Sequence, residues 1–232
     1  MGCSVCAVVP ALNEQESVGE VVASLLLGGV ADTVIVVDDH SSDHTAEAAS
    51  AAGAQVVVNP GRRGKGNAVR TGVQVAQALD PEYVLFVDAD LGECAEEMAS
   101  VLRKVKEGVA HMAVAGFAVS AGGGFGAAVA VARWGVRSLA GVRLEYPLSG
   151  QRAMLARSLL DVVGRFGLEE GFGLEVGLAI DWLRSGYTIV EVPTAMRHAG
   201  LGRGPRGLAH RARQFAAIGA ALSARAGRGR RA

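Results

Sequence analysis

The sequence predicts an α/β fold with a mostly parallel sheet and helices on both faces. Apolar runs rich in Val and Ile alternate with segments of helical spacing, an order that is typical of parallel sheets. Of the 232 residues, 50% are apolar but only 5% are aromatic, so small side chains should let helices pack closely on the sheet. This length suits one domain, or one domain with a short appendage.

The predicted elements alternate along the first half of the chain. Apolar runs bounded by turn residues predict strands at Ser4–Val9, Thr33–Val37, Gln55–Val58, Tyr83–Val87 and Met112–Val119. Helical spacing predicts helices over Val21–Leu27, the Ala-rich segment after Asp43, Asn67–Leu79 and Ala95–Glu107. Ser17 and Glu20 have the spacing of a capping box before the first helix, and Asp43 is a candidate cap for the second.

The second half of the chain is less regular. The elements expected there are a loop leading into a short strand over Pro147–Met154, a helix over Phe172–Ser185, a strand over Thr188–Pro193 and a helix over Gly207–Leu222. Helical spacing places four apolar residues on one face of the last helix: Leu208, Ala212, Phe215 and Leu222. Residues 1–204 are assigned to the main domain, and residues 205–232 to a basic helix and tail.

The formal net charge is zero, but no acidic residue follows Glu191. The arginines beyond it are Arg197, Arg203, Arg206, Arg211, Arg213, Arg225, Arg228, Arg230 and Arg231. Such a segment favours anionic partners, namely phosphates, nucleic acid or an acidic membrane. Nucleic acid is excluded as a partner because no aromatic stacking platform accompanies the charge. From Arg225 onward a frayed, solvated tail is expected.

Cysteine usage and hydropathy predict a cytoplasmic location. Cys3 and Cys6 have CxxC spacing, but on the first predicted strand they should point to opposite faces and hold no zinc. With Cys94 they are expected to be free thiols in a reducing cytosol. No signal peptide is visible. The uncharged run Met112–Ala132 is long enough to span a membrane, but its glycines favour a strand, a loop and a helix start.

The fourth predicted strand ends in Asp88-Ala89-Asp90. Because the strand is apolar and hence buried, its end should place two carboxylates at the rim of the sheet. Two carboxylates at such a short separation are stable when a cation binds both, and a divalent cation that also binds a diphosphate meets this need. A site for a nucleoside-diphosphate sugar is therefore the leading hypothesis, with a strand end and helix cap as the alternative.

Three more polar motifs should converge on the same edge, where parallel sheets bind ligands. Pro10–Glu14 follows the first strand, where the backbone can bind a base and ribose; an ordinary turn is the alternative. Asp38 and Asp39 end the second strand, where an Asp can accept from uracil or guanine, or can serve as a turn residue. Gly61–Asn67 combines glycines with three cations before a helix, so a phosphate cradle and a flexible loop are equally favoured.

Together these motifs resemble family-two glycosyltransferases of the GT-A fold. The resemblance covers roughly residues 4 to 92 and is carried by Pro10-x-x-Asn13-Glu14, Val37-Asp38-Asp39-x-Ser41-x-Asp43-x-Thr45, Lys65-Gly66-Asn67-Ala68 and Asp88-Ala89-Asp90. It implies a Rossmann-like sheet, a nucleotide-binding half in residues 1–92 and an acceptor half in residues 93–204. It also implies a UDP- or GDP-linked sugar donor and Mg²⁺ or Mn²⁺. In such a site Asp39 would contact the base, Asp88 the ribose, and Asp90 the diphosphate through the metal.

The donor-binding residues implied by the resemblance are Pro10, Ala11, Leu12, Asn13, Glu14, Asp39, Lys65, Gly66, Asp88, Ala89 and Asp90.

Weaker resemblances in the second half point to two kinds of acceptor. Ser149-Gly150-Gln151-Arg152 and Glu191-Val192-Pro193 resemble polyprenyl-phosphate glycosyltransferases such as dolichyl-phosphate mannose synthases. Gly171–Leu178 is similar to glucosyl-3-phosphoglycerate synthases, in which a His after the last strand completes the metal site. His198 stands in a similar place. The prolines that usually follow Asp-x-Asp in the polyprenyl-phosphate enzymes are missing from Leu91–Glu97.

Two residues are candidates for catalysis. Arg152 can bind a phosphate of the donor or acceptor, and a salt bridge to Glu145 is the alternative. Glu175 can act as a general base on an acceptor hydroxyl, and a purely positional role at a helix start is equally favoured.

The acceptor is left open between a polyprenyl phosphate and a soluble phosphorylated metabolite. A lipid acceptor would bring residues 205–222 to the inner face of the membrane as a peripheral helix. A homodimer is also left open. A nucleotide-sugar-binding protein without turnover ranks lower, and an NAD-dependent dehydrogenase lacks its Gly-x-Gly-x-x-Gly at residues 10–14.

Overall fold

The computed structural model describes residues 3–117, 126–171, 173–196 and 205–228, and only the backbone of residues 205–214 and 228. The strands are β1 Val5–Ala11, β2 Thr33–Asp38, β3 Gln55–Val58, β4 Tyr83–Phe86, β5 Met112–Gly116, β6 Arg152–Leu155 and β7 Ile189–Pro193. The helices are α1 Val18–Leu27, α2 Thr45–Ala51, α3 Lys65–Gln77, α4 Met98–Lys106, α5 Gly126–Ala140, α6 Ala156–Phe166, α7 Leu174–Arg184 and α8 Pro205–Arg228, with a 3₁₀ helix at Gly92–Glu97.

The strands form one sheet in the order β3-β2-β1-β4-β6-β5-β7. Parallel pairing joins β1 to β2 and β4, and joins β5 to β7. Only β6 runs antiparallel within the described sheet, between β4 and β5. The prediction of a mostly parallel sheet flanked by helices is confirmed. Because β1, β2 and β4 are parallel, their carboxyl ends lie at one edge.

Alternation along β1 separates the two faces of the sheet. Val5, Ala7 and Val9 pack in a cluster with α1 and α4, whereas Cys6 and Val8 pack in a second cluster with α3, α6 and α7. A third cluster joins α5, α7 and α8. The sheet is therefore buried on both faces, as expected for parallel strands.

The C-terminal helix belongs to that third cluster. Ile218 and Leu222 of α8 are buried against α5 and α7, whereas Phe215 is 46% exposed. Phe215 and Leu222 are seven residues apart in one continuous helix and so lie on the same side of it, as predicted, but only the Leu222 end of that side packs on protein. Leu208 and Ala212 lie among the side chains that are not described. None of the helices in the described ranges combines the length and apolarity that a membrane crossing requires.

The prediction of a frayed tail from Arg225 onward is wrong for Arg225 itself. This residue lies within α8 and is 2% exposed. Its guanidinium group donates to the carboxylates of Asp181 and Glu169. The sequence around Arg225 contains no acidic residue, so its partners could come only from other elements.

Several element boundaries also differ from prediction. β1 continues through Pro10 and Ala11, which pair with Val37 and Asp38 of β2. β5 ends at Gly116 rather than Val119, and residues 118–125 lie outside the described ranges. Helix α6 was not predicted. It begins directly after β6 with Leu155 as its cap residue, so no polar cap announces it in the sequence.

The predicted capping box before α1 is wrong. The helix begins at Val18, and the Ser17 hydroxyl donates to Glu14 Oε2 at 2.9 Å instead of capping the backbone. The backbone N–H groups of Ser17 and Val18 both donate to the carbonyl of Glu14, so this residue organises the start of the helix. The cap residue of α2 is His44 rather than Asp43, but the Asp43 carboxylate accepts the N–H of Thr45, the first residue of the helix, and so supports the helix start.

Cys3 and Cys6 pack in the same cluster, so the prediction that they point to opposite faces is wrong. Cys3 precedes β1, so strand alternation does not apply to it, and it packs against the cluster that contains Cys6. Burial raises the pKa of the Cys6 thiol to about 12, and the neighbouring Cys3 thiol adds to the rise. Both are free thiols, as is Cys94.

Gly72 lets α3 approach β1 closely. A Cβ at this position would lie 2.2 Å from Val8 Cγ1 and 3.2 Å from Val37 Cγ2. We expect Gly72→Ala to lower the free energy of unfolding by about 1–3 kcal/mol, because overpacking outweighs the better helix propensity of Ala. Gly164→Ala in α6 is the control, since no atom lies within 4 Å of its Cβ; it should stabilise by about 0.5–1 kcal/mol. Equal shifts in urea unfolding would contradict the prediction.

Candidate active site

A cleft opens at the edge of the sheet where β1 and β4 end. It contains about 270 Å³ of empty volume, part of it open to solvent. The polar and charged residues of its wall, together with Pro10 and Gly150, come from five separate segments of the chain: Pro10, Lys65, Asp88, Gly150, Arg152 and Glu175. Three of the four motifs that were predicted to converge, represented by Pro10, Lys65 and Asp88, therefore meet in this cleft.

Lys65 is the central cation of this cleft. Its Nζ lies 2.7 Å from Asp88 Oδ1 and 2.9 Å from Glu175 Oε1. Burial alone lowers the pKa of Lys65, but the two carboxylates outweigh this effect and raise the pKa above its ordinary value. The first residue of α3 is therefore a fixed positive charge that links the tip of β4 to the first turn of α7.

Gln151 holds Asp88 from the other side. Its Oε1 accepts the backbone N–H of Asp88 at 2.9 Å, and its Nε2 donates to Asp88 Oδ2 at 2.7 Å. The Gln151 side chain is fully buried, and this contact exists because β6 runs beside β4. The structure gives Gln151 a positioning contact with Asp88, and its predicted contact with an acceptor stays a prediction.

Gly150 lets this arrangement close. A Cβ at Gly150 would lie 2.7 Å from Asp88 Oδ2 and 2.8 Å from Lys65 Nζ. A side chain here would displace both charged groups. The glycine of the predicted acceptor segment is thus explained by its packing on Asp88 and Lys65.

Arg152 is buried in the wall of the cleft, where its guanidinium group donates hydrogen bonds to backbone carbonyls. Its Nε donates to the carbonyl of Ser149 at 2.9 Å and its Nη2 to the carbonyl of Pro147 at 3.1 Å. Burial lowers the pKa of Arg152 to about 10, although the nearby carboxylates of Glu175, Glu191 and Asp88 oppose the effect. The arginine thereby shapes the loop before β6, and its predicted contact with a phosphate stays a prediction.

The alternative salt bridge from Arg152 to Glu145 is wrong. Glu145 instead pairs with Arg133 at 2.9 Å and with Arg143 at 2.8 Å. Ser149, another predicted acceptor residue, has a buried hydroxyl without a hydrogen-bond partner among the described residues.

Asp39 fixes the turn that precedes α3. Its Oδ1 accepts from Asn59 Nδ2 at 2.6 Å, and its Oδ2 accepts the Gly64 N–H at 2.7 Å. It is 3% exposed. Sequence reasoning missed Asn59, although its place directly after the β3 run marks it as a residue of this edge. The predicted contact of Asp39 with a base stays a prediction.

Side chains of the Pro10–Glu14 motif and of the motif that begins at Val37 bind each other's backbone N–H groups. Asn13 has a positive φ of 57°, and its Oδ1 accepts the Ser42 N–H at 2.8 Å. The backbone N–H of Asn13 donates to Ser41 Oγ, and that of Glu14 donates to Thr45 Oγ1. The Asn-Glu pair and the Ser and Thr of the second motif therefore join the β1–α1 and β2–α2 loops into one surface.

Negative charge accumulates next to this surface. Burial raises the pKa of Glu14, and the charges of Asp90, Asp43 and Asp88 raise it further, against a lowering by the Ser17 hydrogen bond. Asp88 and Asp90 are half-buried at the tip of β4. These oxygen donors fit Mg²⁺ or Mn²⁺, which bind through one or two carboxylates plus the oxygens of a diphosphate.

The predicted metal pair of Asp90 and His198 stays a prediction, because His198 lies outside the described residues. Within the described ranges no three His, Cys, Asp or Glu side chains are arranged to hold a metal ion by themselves.

Residues 6–159 match the family model described as glycosyl transferase family 2. The chain belongs to this family. The chain is 33% identical over 198 residues to the glycosyltransferase AglJ of Haloferax volcanii, which covers 82% of this chain and 62% of that protein. It is 41% identical over 99 residues to the glucosyl-3-phosphoglycerate synthase of Mycolicibacterium smegmatis, with 39% of this chain and 32% of that protein covered.

A solved structure gives the same assignment for this family-2 chain. The structure of glucosyl-3-phosphoglycerate synthase from Mycobacterium tuberculosis in complex with Mn²⁺, UDP-glucose and phosphoglyceric acid has a TM-score of 0.75 and 28% identity, and the match covers 97% of this chain and 80% of that one. The predicted GT-A fold is confirmed. The chain spans less than two thirds of the length of the two curated relatives, namely 62% and 32%.

Proposed function

We propose that this family-2 glycosyltransferase chain transfers a sugar from a UDP-linked donor to a soluble phosphorylated acceptor, with Mg²⁺ or Mn²⁺ beside Asp90. The observation that carries the proposal is the ion-pair bridge of Lys65, which joins Asp88 of β4 to Glu175 of α7 across the cleft. The bridge brings a positive charge into the cleft between β4 and α7. UDP-glucose and phosphoglyceric acid are bound by the similar M. tuberculosis enzyme.

The donor would lie across the tips of β1, β2 and β4. In this arrangement Asp39 faces the base, Asp88 the ribose and Asp90 the diphosphate. The metal, when bound, neutralises negative charge on the departing nucleoside diphosphate. Lys65 adds a second positive charge, and Gln151 keeps Asp88 in one orientation.

The acceptor would enter between Ser149 and Glu175. Because Lys65 lies 2.9 Å from Glu175 Oε1, we assign Glu175 to orienting a hydroxyl group of the sugar or acceptor. A soluble acceptor is preferred over a polyprenyl phosphate for two reasons. The similar synthase structure holds phosphoglyceric acid, and the apolar residues Ile218 and Leu222 of α8 are already buried in the protein.

Asp90 is expected to be essential for the metal-dependent part of donor binding. A ligand at about 100 times its Kd adds about 2.7 kcal/mol of stability, which corresponds to roughly 5–10 °C in the melting midpoint for a chain of this size. We expect UDP with Mn²⁺ to raise the midpoint of the wild-type protein by this amount, and Asp90→Asn to remove the increment that Mn²⁺ adds. Thermal melting with UDP, Mn²⁺ and a chelator measures it.

Asp80→Asn is the matched control, because Asp80 is exposed and has a positive φ of 47° that Asn tolerates. Equal UDP-induced shifts with Mn²⁺ and with chelator would remove the metal from the proposal. Transfer of labelled glucose from UDP-glucose to phosphoglyceric acid then tests the acceptor class. Product formed only with a polyprenyl phosphate in vesicles would replace the soluble acceptor by a lipid.

A further inference from the structure

One buried arginine ties the C-terminal helix to α7 and to the segment that precedes it. Arg225 of α8 donates from Nε to Asp181 Oδ2 of α7 at 2.9 Å, and from Nη1 to Glu169 Oε1 at 2.6 Å. Glu169 lies in the segment between α6 and α7. We propose that Arg225 and Glu169 are positioning residues that hold this segment against the turn carrying Lys65. The consequence for turnover rests on the proposed function, whereas the mechanical link does not.

The segment between α6 and α7 lies directly against the start of α3. A Cβ at Gly66 would lie 1.8 Å from the Glu169 carbonyl oxygen, and a Cβ at Gly64 would lie 3.0 Å from that of Glu170. Arg70 of α3 also donates to the carbonyl of Leu168 at 2.6 Å. Because the two backbones are in contact, a displacement of Glu169 away from α3 would remove the support beneath Gly66 and its neighbour in the chain, Lys65.

The same arginine supports the other end of the Lys65 bridge. A Cβ at Gly177 of α7 would lie 2.8 Å from Arg225 Cζ, so the guanidinium group packs on the backbone of this helix. A Cβ at Gly173 would lie 2.8 Å from Ala221 Cβ. Helix α8 thus packs against the first turn of α7, which carries Glu175. Arg225 borders the supports of both Lys65 and Glu175.

The charges of this cluster are matched to each other. Burial lowers the pKa of Arg225, but Asp181 and Glu169 outweigh it and raise the pKa above the ordinary value. Asp181 is 1% exposed, and its Oδ1 has no hydrogen-bond partner among the described residues. Removing Arg225 would therefore leave a buried carboxylate uncompensated and threaten folding itself. Glu169 is the better position to test, because its side chain is 36% exposed.

The link is tested by amide hydrogen exchange of the ligand-free protein. The reporters are the N–H of Gly64, which donates to Asp39, and those of Asn67 and Ala68, which donate to the Gly64 carbonyl. We expect Glu169→Gln to accelerate their exchange about five-fold or more through local opening, with a melting midpoint near that of the wild type. Glu170→Gln removes the same charge from an exposed neighbouring side chain and should leave the exchange unchanged. Equal exchange in the two variants would overturn the link.

The kinetic readout uses UDP-glucose and the acceptor of the wild-type reaction. We expect Glu169→Gln to lower kcat/KM about ten-fold, since small displacements of charged groups are costly in catalysis, and Glu170→Gln to lower it less than two-fold. Faster exchange together with unchanged kcat/KM would overturn the positioning role. Wild-type protein without transfer activity would overturn the proposed function alone, because the exchange experiment tests the link without substrate.

Discussion

Gln151→Glu is expected to be among the most damaging single-atom changes in this chain. The wild-type amide donates from Nε2 to Asp88 Oδ2 at 2.7 Å, and a carboxylate in its place would oppose a second carboxylate in a buried position. We expect the free energy of unfolding to fall by about 3 kcal/mol at pH 8, because a buried charge without compensation is costly. Transfer activity should fall about 10²-fold as Asp88 leaves its orientation.

The loss should depend on pH in a defined direction. A like charge raises the pKa of the introduced carboxyl group in the folded state. The folded state then holds a proton that the unfolded state releases, so stability relative to the wild type falls as the pH rises through this interval. Urea unfolding at about pH 5 and pH 8 measures the difference, which should be larger at pH 8. Gln74→Glu on the exposed side of α3 is the control, and a similar loss in both variants would contradict the prediction.

The part of the fold that the sequence predicts is the part with local signals. The first four strands are continuous apolar runs, and the polar residues that follow β1, β2 and β4 mark the edge that carries the cleft. Helix α6 was not predicted because Leu155 occupies its cap position, so no polar residue marks its start. The antiparallel insertion of β6 also has no local signal, because pairing direction is decided by contacts between distant strands.

The site residues also divide into those with a local signal in the sequence and those whose contacts depend on distant parts of the chain. Asp88 and Asp90 are visible in the sequence because they end a buried strand. Gln151 and Asp88, which are hydrogen-bonded, lie 63 positions apart in the chain. Arg225 pairs with Asp181 and Glu169, which lie 44 and 56 positions away. No periodicity or motif reports such contacts. The basic segment after Glu191 therefore suggested a solvated tail, whereas one of its arginines is paired and buried.

Lys65→Met should separate the structural role of the central ion pair from its role in transfer. The substitution leaves Asp88 and the 9% exposed Glu175 without their shared cation. We expect a loss of about 1–3 kcal/mol in the free energy of unfolding and a loss of about 10²-fold or more in transfer. Lys104→Met, which breaks an exposed pair with Glu107 at 3.2 Å, should change stability by less than about 0.5 kcal/mol.

The double variant Lys65→Met/Glu175→Gln distinguishes the two roles. Replacing Glu175 removes a carboxylate that Lys65→Met leaves uncompensated, so part of the stability should return while transfer should not.

The raised pKa of Lys65 also determines how the contribution of this ion pair to stability depends on pH. Its contribution is complete below the ordinary Lys pKa of about 10.4 and is lost only as the pH rises through the higher folded value. The stability difference between wild type and Lys65→Met should therefore stay constant from about pH 7 to pH 9, and a difference that shrinks in this range would show that the bridge is not held as an ion pair.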